Sequence, residues 1–231
     1  MRFVAVILSS LLALGAVEAS AQERAPATVT VAGEASEEAR PDVAWLSLTI
    51  RDQKPTAAEA SSENAHRANG VIAALAAAGV EAKDIVTVGL ALDPVWSGQN
   101  SPRSVVAFEA TNRLSVRVQP VDKAGPLLAQ AVAAGAEYDG VGFDLSDRET
   151  RQDALRGKAV ENAARRAALY AGGAAMKLGA LQSISAEAAQ PVFRPLAKTF
   201  AVAGALTPPP IEPGPITLNE SVTATWTLVA Q

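Results

Sequence analysis

The sequence predicts an α+β protein built of mostly antiparallel sheets packed with two or three helices. Three observations carry that prediction. Several runs alternate apolar and polar residues with a period of two, so each strand has one wet face, which favours antiparallel pairing. Between them lie stretches whose apolar residues recur at helical spacing. The two kinds of segment follow one another in the order ββαββαβαββ, a mixture of helices and antiparallel strands.

The elements follow in chain order. TVTVAGEA (28–35) alternates and turns at Gly33, a short first strand. Residues 41–53 form the second, with Pro41 at a first position that needs no ladder donor. Ala44, Leu46, Leu48 and Ile50 share its helix-facing side, and Val43, Trp45, Ser47 and Thr49 lie on the other. Its polar start, Pro41-Asp42 behind Glu37, Glu38 and Arg40, marks either a working site or only a strand start. The expected role of Asp42 is structural, accepting local backbone hydrogen bonds.

Thr56 and Glu59 have capping-box spacing. Ala60, Asn64, Ala68, Val71, Ile72 and Leu75 then recur as one helical stripe, and Gly79 is placed to end the helix in a left-handed conformation. In 84–96, Val86, Val88, Leu90 and Leu92 are expected on one face. In 104–119, Val106, Phe108, Ala110, Leu114, Val116 and Val118 share a face opposite Glu109, Thr111, Arg113, Ser115 and Arg117. A second helix covers 121–136, starting near Gly125 so that Pro126 falls in its first turn. A short strand, 138–147, leads to a second capping-box spacing, Ser146 and Glu149. The long helix it opens is expected to run to about Leu178, with Leu155, Ala159, Ala163, Ala167, Tyr170 and Ala174 inward. A strand at 180–188 and an aperiodic segment at 189–215 follow. In the final run Ile216, Leu218, Val222, Ala224, Trp226 and Leu228 share a face, broken only by Glu220.

The chain opens MRFVAVILSSLLALGAVEASAQ: one arginine, an uncharged apolar run over Phe3–Val17, then Ala19-Ser20-Ala21. That order predicts a cleaved bacterial signal peptide over 1–21, with the cut after Ala21 or Ala19, and a periplasmic destination. The run is shorter than the ~20 residues that cross a bilayer as a helix. Residues 22–26 are expected to be a flexible start, and 27–231 the folded domain. With no second long apolar run, the mature chain is expected to be soluble, without a transmembrane segment.

Of 231 residues, 49% are hydrophobic and only 4% aromatic, so alanine fills much of the core. The net charge of -4 and the lack of a Lys/Arg block argue against nucleic acid as a partner. There is no cysteine, which removes thiol catalysis, Cys-ligated metals and the disulfides an exported protein is free to form.

Signals for chemistry are weak. His66, the one histidine, stands alone on the first helix, whereas a metal site needs several donors. Neither a G-x-S-x-G elbow nor a phosphate loop is present. Asp139, Asp144 and Asp147 cluster in sequence but lack the spacing of a calcium loop. No catalytic, cofactor-binding or metal-binding residue is assigned, and no cofactor is expected. One alternative stays open, an acid-residue hydrolase using Asp42, Asp144 or Asp147. Two such carboxylates would have to stand within about 5 to 10 Å of each other.

Two features read better as binding surface, the 189–215 segment and the exposed face of the third helix with Arg156, Arg165 and Arg166, the latter more simply read as a solvated face. The 189–215 segment carries Val192, Phe193, Leu196, Phe200, Val202 and Leu206 among several prolines. Loops beyond about 15 residues are uncommon in compact domains unless they function or are disordered. It either folds back on its own chain or forms a subunit contact. Trp45, on a face with polar neighbours, is either a lone exposed aromatic or half of a contact to another chain.

In order along the chain, TVTVAGEA, PDVAWLSLTI, TAAEASSENAHRANGVIAAL with AAGVEAKDIVTVGLALDPVW, AVAAGAEYDGVGFDLSD, ENAARRAALYAGGAAMKLG and IEPGPITLNESVTATWTLV resemble the SIMPL domain family over nearly all of 27–230. That family includes bacterial periplasmic immunogenic and oxidative-stress defence proteins. The resemblance implies an exported, two-lobed α+β protein, with 120–188 a candidate inner lobe, that self-associates into rings or larger assemblies. It implies a link to envelope and oxidative stress, and it brings no catalytic residues, because the family has no agreed ones. The expected partner is therefore a second copy of the chain, with peripheral association to the envelope as the one membrane contact considered.

Overall fold

Two antiparallel sheets share the strands of the computed structural model, which describes residues 26–98, 103–187 and 212–231. In chain order the elements are β1 (Thr28–Ala39), β2 (Val43–Lys54), α1 (Ala57–Ala77), β3 (Ile85–Trp96) and β4 (Val105–Val118). Then come α2 (Ala124–Ala133), β5 (Glu137–Asp144), α3 (Arg148–Gly173), β6 (Met176–Glu187) and β7 (Ile216–Ala230). This is the expected ββαββαβαββ order, and the fold is α+β. The first sheet is ordered β3-β4-β2-β5 and the second β1-β7-β6. Residues 1–21, expected to be a signal peptide, lie outside the described residues. Among those described, no helix is long and apolar enough to cross a membrane.

Each sheet closes over its own core. Leu46, Leu48 and Ile50 of β2 and Leu114, Val116 and Val118 of β4 are buried against Val71 and Leu75 of α1 and Leu127 and Leu128 of α2. Thr56 caps α1, its hydroxyl accepting from the Glu59 amide at 3.2 Å, and Gly79 (φ 92) ends it. Asn64 belongs to the buried stripe for a polar reason. Its Nδ2 donates to the Ile50 carbonyl (2.9 Å), the Ala110 carbonyl (3.1 Å) and the Asp52 carboxylate (3.2 Å). Arg67, one turn on, pairs with the same carboxylate at 2.5 Å. An amide at this position thus ties the helix to two strands, which an aliphatic side chain cannot do.

The second core is alanine-rich. Ala159, Ala163 and Ala167 of α3 pack on Val31, Val222, Ala224 and Trp226. Gly33 does not turn the chain; β1 runs through it to Ala39, and the glycine lets α3 approach the strand backbone. Glu220, the break in the last strand's apolar face, is buried with its carboxylate 3.7 Å from Arg156 of α3.

Three expectations about α3 are corrected. The helix ends at Gly173 rather than near Leu178, because Gly172-Gly173 and Ala175 (φ 56) reverse the chain into β6. Its buried stripe is Leu155, Ala159, Ala163, Ala167 and Ala171, each four residues apart, so Tyr170 and Ala174 are exposed. The Ser146–Glu149 capping box does not form: Asp147 occupies the N-cap, and the Ser146 hydroxyl donates elsewhere.

Candidate functional site

The two sheets are joined where β1 passes to β2 and β5 passes to α3, and Asp42 sits between these crossings. Its carboxylate accepts from the Ser146 amide (2.8 Å), the Ser146 hydroxyl (2.5 Å) and the Gln119 amide (3.0 Å). Its own N–H donates to the Asp144 carbonyl at 3.2 Å. The Ser146 hydroxyl, then the Ser146 backbone N–H, hold its pKa below the usual carboxylate value despite an opposing contribution from burial. The neighbouring carboxylates are also engaged: Asp144 accepts from Arg148 (2.5 Å), Asp147 from Arg151 (2.8 Å), and Glu37 pairs with Arg151. The structure therefore brings Asp42, Asp144 and Asp147 to one junction and ties each to a donor. A general acid needs a raised pKa, and Asp42 is shifted the other way. Asp139 lies apart, accepting from Thr49 at 2.5 Å. His66 is exposed on α1. Among the described residues no three His, Cys, Asp or Glu side chains are placed to hold a metal ion.

Trp45 is half-buried on the sheet face away from α1, in ladder register with Arg117 of β4 and Gly142 of β5. Val192, Phe193, Leu196, Phe200, Val202 and Leu206 lie outside the described residues.

Among the described residues, β3 is the strand that exposes the most large apolar side chains. The expectation that Val86, Val88, Leu90 and Leu92 share a face is corrected by the ladder. Thr87 pairs with Leu114 and Gly89 with Arg113, so Val88 is an extra, bulged residue and the alternation inverts across it. Val86 then stands with Ser115 on the outer face, while Leu90 and Leu92 stand with Asn112 and Ala110 on the helix side. That side is still open, because α1 packs chiefly over β4 and β2 and reaches β3 only slightly. Leu90 is 74% exposed there with Leu92; Val88, in the bulge, is 63% exposed, Val86 is exposed on the outer face, and Trp96, Val105 and Val106 are exposed toward the far end of the β3–β4 pair.

β3 is also a sheet edge, with one row of backbone donors and acceptors unpaired within the described residues. Edges are normally blunted by charge, proline or bulges. The β5 edge carries Glu137, Asp139 and Asp144, and β1 carries Glu34, Glu37 and Glu38. β3 has one charge, Asp93, and its Pro94 and bulge leave Gly89–Asp93 extended. β6 exposes Leu181 and Ile184, but it runs directly into residues 188–211, so these positions do not define a free surface. Sequence reasoning missed β3 because apolar alternation normally means burial. The signal that distinguished it was the near-absence of charge along a whole strand.

The described residues thus form an antiparallel α+β fold with hydrogen-bonded carboxylates at the junction of its sheets and an apolar edge at β3. The chain belongs to the SIMPL family, described as a protein of unknown function (DUF541), whose model matches residues 29–226. It is 30% identical over 211 residues to the 26 kDa periplasmic immunogenic protein of Brucella melitensis, covering 85% of this chain and 83% of that one. It is 28% identical over 187 residues to the uncharacterized protein YggE of Escherichia coli K12, covering 80% and 76% respectively.

Proposed function

We propose that the protein is a non-catalytic, self-associating component of the periplasm, and that the edge strand β3, with its exposed apolar side chains and single charge, is the contact between copies. The observation that carries this reading is Leu90, 74% exposed in the middle of a strand edge that has no partner strand among the described residues. Burying that strip and pairing the edge satisfies both the apolar surface and the open backbone groups. The periplasmic setting is supported by the amino-terminal pattern and by the name of the Brucella relative, a periplasmic immunogenic protein. A link to oxidative or envelope stress would act through assembly. The chain has no cysteine, and Met176 is its one methionine beyond Met1, so sacrificial sulfur chemistry has little to work with.

Light scattering coupled to size-exclusion chromatography tests the proposal. The mature chain is expected to elute as an oligomer and the Val88→Lys/Leu90→Lys double variant as a smaller species with an unchanged circular-dichroism spectrum. A strictly monomeric wild type, or an oligomer indifferent to both lysines, would overturn it.

A further inference from the structure

A second edge, on the other sheet, has a different character. Among the described residues, the groove beside the first half of β1 is open and of about 510 Å³, walled on one side by Thr28–Ala32 and on the other by α3. The Ala27 carbonyl accepts from the Leu228 N–H at 2.7 Å, and Thr28 stands opposite Thr227. Bonded pairs alternate along an antiparallel ladder. Val29 and Val31 therefore aim their backbone groups at β7, while Thr28, Thr30 and Ala32 turn theirs outward. The Arg166 guanidinium confirms the parity by donating to the Ala32 carbonyl at 2.8 Å.

The helical wall consists of Arg166, Tyr170 and Ala174, each four residues from the next and so in one row. Tyr170 is 61% exposed, and Ala174 leaves space beside it. Among the described residues Arg166 is the one charged side chain lining the groove, and its guanidinium is met by the Ala32 carbonyl rather than by a carboxylate.

We infer that this groove takes an extended peptide bearing a carboxylate, added as a fourth strand alongside β1. An edge strand facing a helix offers a peptide both halves of what it needs, main-chain partners on one wall and side-chain contacts on the other. Thr28 and Thr30 supply the backbone donors and acceptors. Tyr170 and Ala174 receive the inward side chains. Arg166, whose planar fork matches a carboxylate, sets the preference for an acidic chain end and swings off the Ala32 carbonyl to meet it. This surface is separate from the β3 contact proposed above and does not depend on it.

The test uses fluorescein-labelled Ser-Val-Thr-Val-Glu with a free terminal carboxylate, compared with Ser-Val-Thr-Val-Lys amide, on the mature chain. Fluorescence anisotropy is expected to show the acidic peptide binding about tenfold tighter. Arg166→Glu should reverse that preference, and Tyr170→Ala should weaken both peptides. Hydrogen exchange should slow over residues 28–32 on binding, and the Val88→Lys/Leu90→Lys variant should bind as well as the wild type. No binding of the acidic peptide up to about 1 mM, a peptide affinity far below any specific groove, would overturn the inference. So would equal affinities for the two peptides, an unchanged preference in Arg166→Glu, or protection that falls on β3 instead.

Discussion

Gly33→Ala isolates the contact that holds α3 on its sheet. A Cβ at Gly33 would lie 2.1 Å from the Ala159 carbonyl oxygen, 2.5 Å from the Ala163 amide nitrogen and 2.6 Å from the Ala163 Cβ. None of these atoms ends a flexible side chain, so no rotamer change relieves the clash. The helix must move away by an ångström or more, and in doing so it loosens the Ala159, Ala163 and Ala167 contacts to Val31, Val222 and Trp226. Overpacking typically costs 1–3 kcal/mol, and with rigid backbone on both sides the expected value is about 3 kcal/mol. For a domain of this size that corresponds to a fall in Tm of roughly 6–12 °C. Gly157→Ala is the matched control, since its Cβ meets nothing within 4 Å on the same helix. It should be neutral or stabilising by up to about 1 kcal/mol. Urea denaturation of the three proteins measures both. A Gly33→Ala protein within about 1 kcal/mol of wild type would refute the close-packed account of this lobe, because overpacking against rigid backbone cannot be that mild.

Asp42→Ala should cost about 1 kcal/mol through its lost hydrogen bonds and leave any association intact, as equilibrium denaturation and light scattering would show. The folded-state pKa of Asp42 is depressed, so its contribution is present above the unfolded value of 3.8 and is lost as pH falls below it through the folded value. The gap in stability between wild type and Asp42→Asn should accordingly narrow in acid titrations below that point and stay constant above it. Asn64→Ala strands two strand carbonyls and part of the Asp52 carboxylate, and is expected to destabilise by about 2–3 kcal/mol in the same denaturation assay. Trp45→Ala, on the outer face of β2, should cost folding about 1 kcal/mol and weaken association. An unchanged association constant by sedimentation would remove Trp45 from the contact surface.

Strands and helices were legible wherever one physical period dominated. Ala44, Leu46, Leu48 and Ile50 alternate because β2 is central and covered on one side, and all four are buried. Thr56 and Glu59 announced the start of α1, and Gly79 its end, because each need is local. What escaped was set by distant partners. The bulge at Val88 shifts a face by a single residue and depends on how Thr87 and Gly89 meet β4. Asn64 was legible as part of the helical stripe but not its reason, and Glu220 looked like a fault in an apolar face; their partners, Asp52 and Arg156, come from other elements. Ser146 had the spacing of a helix cap, but Asp42, 104 residues away in sequence, takes its hydroxyl. The candidate surface was hidden for the same reason. Val88 and Leu90 read as members of one apolar face, and only the sheet order shows that β3 is an edge that α1 barely reaches.

Protection of a single thiol tests the association at β3 most directly, since the chain has no cysteine of its own to interfere. Leu90→Cys and Leu169→Cys place a thiol at positions 74% and 68% exposed in the isolated chain, one on the β3 edge and one on α3. Burial of even three-quarters of a leucine side chain is worth roughly 1–2 kcal/mol, which makes that position one the contact should keep covered. At concentrations where the protein is assembled, maleimide should label Leu90→Cys about tenfold or more slowly than Leu169→Cys, and the two rates should converge on dilution. Equal labelling rates at every concentration would contradict the account.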